Sequence, residues 1–360
     1  MDCYDPIIRL LERGVREQVF PGAVWAVGDA SGVLGWGARG LADPADPGSA
    51  MRRETIFDVA SLTKIVAVWS VIGALWEEGR LPLDQPLGTF WPEVAGLPLG
   101  QVTAHHLLTH TAGVPLRANL KASYGTDPRA VREGVLREAL HRPPGEAVEY
   151  TDRAALILGF LAEHLTGAPL DRLAASLIWR PLGMTGTRFG PLPDAERARC
   201  APTEFDPGSG AHLKGVAHDF SARLLGGVCG IAGVFSTLDD LARFQRHLLN
   251  PAPRAGFGEA WVTQSLRIQT GGLAPRRGLF WHPGPGGDED VYVHYGFTGT
   301  ALWVSAKQSR WAVLLTNKLY FGRDREPIAA VRSAFHALVF TGSRSLPRAA
   351  PGDQPESRSR

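Results

Sequence analysis

Cysteine is scarce: three in 360 residues, at Cys3, Cys200 and Cys229. Three thiols without paired spacing make neither a disulfide framework nor a thiolate metal site, and they fit a reducing compartment. Charge of one sign is also missing. Lys and Arg total 38 against 36 Asp and Glu, a formal net charge of +2. No strong field is therefore aimed at nucleic acid or an acidic membrane. Long apolar runs are lacking too. The longest, Ile65 to Trp76, contains Ser70 and Gly73 and falls short of the ~20 residues that span a bilayer. The opening Met1-Asp2-Cys3-Tyr4-Asp5-Pro6 has no basic n-region, apolar h-region or small-residue cleavage site, so a cytoplasmic location is the expectation. No repeat of fixed period occurs. What is present is 44% apolar and 21% charged residues, the composition of a folded globular chain. The length suits two lobes, or one domain with a large insertion.

Apolar spacing predicts a helix over Ile7 to Val19. Gly22 to Gly28 and Val33 to Gly37 read as strands, joined by the turn residues Asp29-Ala30-Ser31-Gly32. Ser61 to Gly79 reads as a buried helix with Gly79 as its C-cap. Helices are expected at Thr103–Thr109, Asp127–Leu140, Thr151–Thr166 and Leu170–Trp179. Three late runs, Val291–Tyr295, Thr300–Ser305 and Trp311–Thr316, suggest an antiparallel meander. Ile328–Phe340 then closes the chain as an amphipathic helix. The expectation is an α+β fold: an antiparallel sheet built from both termini and flanked by helices, plus a mostly helical lobe. Residues 1–80 and 211–342 would form the sheet lobe and 81–210 the helical lobe. Residues 343–360 are polar and rich in Pro and Arg, and are expected to be disordered.

Ser61 and Lys64 stand at i and i+3 where the buried helix begins, so their side chains share one helical face. A serine hydroxyl needs a neighbour to take its proton. A lysine enclosed by apolar residues has its pKa pushed down by desolvation and can do so. The bland alternative is an N-cap serine followed by a surface lysine. Ser-x-x-Lys occurs often by chance, and the apolar run behind this one raises its interest.

With its neighbours, Ser61-Leu62-Thr63-Lys64 resembles the nucleophile motif of penicillin-binding proteins and serine β-lactamases. Further segments of the class C β-lactamase-related superfamily follow in order. His106-Leu107-Leu108-Thr109-His110-Thr111-Ala112-Gly113 is similar to its Leu-Leu-Thr-His-Thr-Ser-Gly segment, and Tyr150-Thr151-Asp152 to its Tyr-x-Asn. Pro181-Leu182-Gly183-Met184 resembles its Pro-Leu-Gly-Met turn. Gly226-Gly227 through Phe235-Ser236-Thr237, then Asp239-Asp240-Leu241-Ala242, fit as well. His294-Tyr295-Gly296-Phe297-Thr298-Gly299-Thr300 stands where the family has Lys-Thr-Gly or His-x-Gly. The resemblance covers about residues 7 to 340. It implies a β-lactamase/transpeptidase-like fold and acyl transfer to Ser61 without a metal or cofactor. It also implies that Tyr150 points between Ser61 and the leaving group, and that the backbone N–H groups of Ser61 and Phe297 form the oxyanion hole.

The departures from the motif matter as much. An Asn at 152 would donate to a substrate carbonyl, whereas Asp152 only accepts. A carboxylate there also favours charged Lys64. Tyr150 is then the better candidate base, with Lys64 as electrostatic support. Asp152 also reads as an N-cap for the helix that follows. His294 replaces a permanent cation, so a substrate carboxylate would be held by a group that titrates near ~6.5. Tyr295 replaces a substrate-side Thr. Gly296 would let an edge strand approach the substrate. Asp152, His294, Tyr295 and Gly296 are thus the candidate substrate-binding residues.

Other signals are weaker. His106 and His110 are spaced i, i+4, but no Glu completes a metalloprotease pattern and no second cluster appears. Gly226 to Gly233 lacks the strand, helix and acidic partner of a dinucleotide site. Trp303 is a candidate pocket residue. The leading expectation is an esterase-like or amidase-like serine hydrolase acting on a small ester, amide or peptide-like substrate. No nucleic-acid or membrane partner is expected, and the oligomeric state is left open. The alternatives are a class C β-lactamase or D-amino-acid peptidase, and a non-catalytic penicillin-binding-like protein.

Overall fold

The computed structural model describes residues 3–116 and 119–341. The expected tail, 343–360, lies outside them. Six antiparallel strands form the main sheet. Their spatial order is Val33–Gly40, Gly22–Gly28, Arg310–Thr316, Ala301–Ser305, Asp288–Tyr295 and His282–Gly284. The two ends of the chain meet at its centre, where Trp25 lies opposite Leu314. The first hairpin closes as its residues dictate: Asp29 Oδ1 accepts from the Ser31 N–H at 2.8 Å, and Gly32 takes a positive φ.

Side-chain alternation splits the sheet into two faces. Trp25, Val27, Trp303 and Leu314 pack under the N-terminal helix Asp5–Arg16 and the closing helix Glu326–His336. Val24, Ala26, Leu302 and Val313 face the larger core with the central helices. Trp303 is therefore fully buried against Phe335, with ring centres 5.3 Å apart, and is not a pocket residue.

The helix after Ser61 is less regular than its pattern suggests. A 3₁₀ turn (Ala60–Leu62) leads into π-helical turns (Lys64–Trp69) and then an α-helix (Ser70–Glu77). Side-chain donors take the carbonyls of the wide turns: Ser70 Oγ reaches Ile65 O at 2.8 Å, and Trp179 Nε1 reaches Val66 O at 2.8 Å. Ala60–Glu77 is long and apolar enough to resemble a membrane span, yet most of it is buried inside this protein. The helices Ala104–Leu108, Pro128–Leu136 and Asp152–Thr166 arise near their expected places. Three strands of two or three residues, Phe57–Asp58, Val234–Ser236 and Arg188–Phe189, form a second sheet. They are too short to carry a period-2 signal. Their importance is position, because Asp58 leads directly into the Ser61 turn.

Candidate active site

Ser61 is presented by a strained turn. Ala60, immediately before it, has φ +50, a left-handed conformation that costs a non-glycine residue about 1 kcal/mol or more. Asp58 holds the turn by accepting the Ala60 N–H at 2.9 Å. Lys64, fully buried, donates to Ser61 Oγ at 3.0 Å, Ile231 O at 2.9 Å and Asp152 Oδ1 at 2.8 Å. Three partners match the three protons of an ammonium. Burial works against that charge. The carboxylate of Asp152 and the phenol of Tyr150 outweigh it, so Lys64 is held above its ordinary pKa. This is the direction expected from a carboxylate at 152, which together with Tyr150 outweighs the effect of enclosure. In turn, desolvation opposes ionisation of Asp152, but Lys64 keeps that carboxyl below its ordinary range.

Tyr150 and Asp152 sit where a loop enters the helix Asp152–Thr166. His110 pins that loop, since its carbonyl accepts the Glu149 N–H at 2.8 Å and its Nδ1 accepts the Thr151 N–H at 3.4 Å. The His110 ring also lies 4.7 Å from the Tyr150 ring. The helix N-cap is Thr151, whose Oγ1 accepts the Arg153 N–H at 3.2 Å. The N-cap reading of Asp152 is thereby corrected, and its carboxylate is free to meet Lys64. Arg153 grips Glu138 with two bonds of 2.7 Å and fixes the helix start. Tyr150 is 41% exposed. Its ring centre is 5.5 Å from Lys64 Nζ and 5.8 Å from the Arg277 guanidinium.

The turn after Asp288–Tyr295 closes onto the nucleophile segment. Thr298 Oγ1 donates to Asp58 O at 2.7 Å, and Thr300 Oγ1 donates to Val59 O at 3.0 Å. Gly296 has no side chain for the same reason. A Cβ there would collide with Thr300 Oγ1 and the Val59 carbonyl, so it admits the protein's own backbone, and Gly296 also lines the cleft. On the outer side His282–Gly284 pairs with this strand only as far as Val293. Among the described residues neither the Ser61 nor the Phe297 N–H has a hydrogen-bond partner. Both residues line one cleft of about 1060 Å³ together with Tyr150, Asp152, His294 and Tyr295.

His294 is buried at 2% exposure and its Nδ1 has no partner. Burial first, and then the charge of Lys64, push its pKa well below the ordinary value. The expected titration near pH ~6.5 is corrected: His294 is a neutral imidazole at the cleft wall. His294→Gln should accordingly leave the shape of the pH–activity profile between pH ~5.5 and ~8 unchanged; a lost limb in that window would restore the titrating reading. Tyr295 lies beneath Arg332, 4.6 Å from guanidinium to ring centre.

Several cleft residues carried no sequence signal. Arg277 and His282 stand beside Tyr150 and His294, with His282 pushed down to about 4 by burial and then by Arg277. Beyond Phe297 lies a group of cations. Lys318, Arg323 and Arg325 sit within 4.7–5.2 Å of its ring centre. Lys318 is lowered to about 8 by burial and by the like charges of Arg332 and Arg325. An arginine-rich chain hides such residues among its surface arginines. His106 and His110 do not converge: His106 Nδ1 accepts the Thr103 N–H at 3.2 Å, whereas His110 turns to Thr151.

Residues 7–335 match the profile of the family described as Beta-lactamase. The chain belongs to the beta-lactamase family. It is 30% identical to Esterase EstB of Burkholderia gladioli, over 91% of this chain and 94% of that one. It is 26% identical to N-acetylmuramyl-L-alanine amidase of Bacillus subtilis (strain 168), over 86% and 80%. The fold is shared with a penicillin-binding protein homologue from Caulobacter crescentus, with a TM-score of 0.74 at 20% identity, covering 94% of this chain and 98% of that one. Within the beta-lactamase family this chain is a serine hydrolase that works through an acyl-enzyme on ester or amide bonds.

Proposed function

We propose that this hydrolase cleaves small carboxylic esters in preference to β-lactams. The observation that carries the reading is the closed charge balance at the nucleophile: Lys64 is paired to Asp152, and the imidazole nearby is neutral. Neither position 152 nor position 294 then offers the amide donor or fixed cation that a β-lactam would meet there. Ser61 attacks the acyl carbon, and Tyr150 moves the hydroxyl proton to the leaving oxygen. Lys64 stabilises the charge that develops between them. The N–H groups of Ser61 and Phe297 receive the oxyanion, where one such donor is worth ~3 kcal/mol. The likeness to an esterase over almost its whole length supports the choice.

A second reading, cleavage of amides bearing an anionic group, is favoured by Lys318 and Arg325, which stand at the Phe297 ring in the cleft wall. Short-chain p-nitrophenyl esters, a chromogenic cephalosporin and an N-acyl-D-alanyl peptide, compared by kcat/KM, separate the readings. The ester should lead the cephalosporin by roughly a hundredfold or more, about 2.7 kcal/mol of transition-state binding. Comparable cephalosporin turnover overturns the preference.

A further inference from the structure

We propose that His218 is a further catalytic residue, the base that activates water to clear the acyl group from Ser61. The proposal rests on the reading of Ser61 as the acylated nucleophile. The imidazole is fixed from behind. Asp58 Oδ2 accepts from its Nδ1 at 3.0 Å and from its backbone N–H at 2.8 Å. Asp58 is 1% exposed and belongs to the strand that delivers Ser61, so one carboxylate orients both the nucleophile turn and the imidazole. With Nδ1–H bound to a carboxylate, the neutral tautomer carries its lone pair on Nε2. Among the described residues nothing hydrogen-bonds Nε2. His218 lines the same cleft as Ser61 and Phe297, and its ring stacks at 30° on the Phe297 ring, with centres 5.8 Å apart.

The surroundings strengthen the imidazole as a proton acceptor. Burial opposes the imidazolium, but Asp58 and then Asp219 and Glu204 outweigh it, and the pKa is raised above its ordinary value. Asp152 faces it across the cleft. Lys64 is unsuited to the task, because its three protons are already committed. In the step, water oxygen bonds to the acyl carbon while Nε2 takes its proton, and the carbonyl electron pair moves to the oxyanion. The C–Oγ bond then breaks. Oγ takes the proton from Nε2, and the carboxylic acid leaves and ionises in solvent.

The test is pre-steady-state kinetics of His218→Asn with p-nitrophenyl acetate. Asn keeps a donor for Asp58 and removes Nε2, so a merely structural histidine is tolerated. The expected result is a stoichiometric p-nitrophenol burst, then a steady state slower than wild type by at least about a hundredfold. An acetyl group accumulates on the Ser61 peptide by mass spectrometry. Hydroxylamine, a nucleophile that needs no base, restores turnover. Turnover equal to wild type, or burst and steady state slowed together, overturns the proposal while leaving Ser61 in place. If a fluorophosphonate fails to label Ser61 in the wild-type protein, the underlying reading falls first, and the role of His218 with it. Should His218→Asn fold poorly, His218→Gln carries the same comparison.

Discussion

Ser61→Ala should lose ester turnover by roughly 10⁴-fold or more, with whatever remains owed to the oxyanion donors and to binding. The expectation follows from how little else the hydroxyl does. Its oxygen accepts one bond, from Lys64, and Lys64 keeps Asp152 and Ile231 O as partners when it is gone. The left-handed Ala60 is set by Asp58 and not by Ser61. Stability should therefore change by no more than about 0.5–1 kcal/mol, and thermal melting checks that. Labelling by a fluorophosphonate should vanish together with turnover. A variant that is labelled as strongly as the wild type would place the nucleophile elsewhere.

Sequence reasoning reached the sheet because its strands are long enough to show their alternation. Gly22–Gly28 and Arg310–Thr316 pair although almost the whole chain separates them, and only the hydrophobic pattern at each end announces it. The motif residues Ser61, Lys64, Tyr150 and Asp152 could be placed together by resemblance, and the carboxylate at 152 already pointed to a charged Lys64; the neutrality of His294 was not legible. Lys64 and His294 are both buried, and burial alone predicts the same direction for each, since it disfavours the charged form. They part because a carboxylate stands 2.8 Å from Lys64, whereas His294 meets only other cations and imidazoles. That difference belongs to three dimensions. The same holds for Asp58 and His218, which lie 160 residues apart. No spacing rule joins them; a two-residue strand and a loop do. Gly296 teaches a related lesson. The missing side chain was legible, but the close approach of Thr300 Oγ1 and the Val59 carbonyl that requires it was not.

Tyr150→Phe should lower kcat for p-nitrophenyl esters by about 10² to 10⁴-fold, the range for removing a general acid–base group, with little change in KM. The competing base is Lys64, and the sign of its shift decides against it. A lysine held above its ordinary value of 10.5 stays an ammonium through neutral pH, so it has no lone pair for the serine proton. Were it the base, activity would climb with pH beyond ~10 as the ammonium ionised. As a donor its work is different: the charge lies 3.0 Å from Ser61 Oγ and 5.5 Å from the Tyr150 ring centre, where it stabilises negative charge developing on the serine oxygen. The phenyl ring of the variant keeps its contact with His110, and the position is 41% exposed, so the fold should survive the loss of one oxygen. Fluorophosphonate labelling of Ser61 should slow by the same factor as kcat, because both reactions begin by removing the serine proton. A variant within tenfold of wild type in both measurements would remove Tyr150 from the proton path and leave water or His218 to fill it.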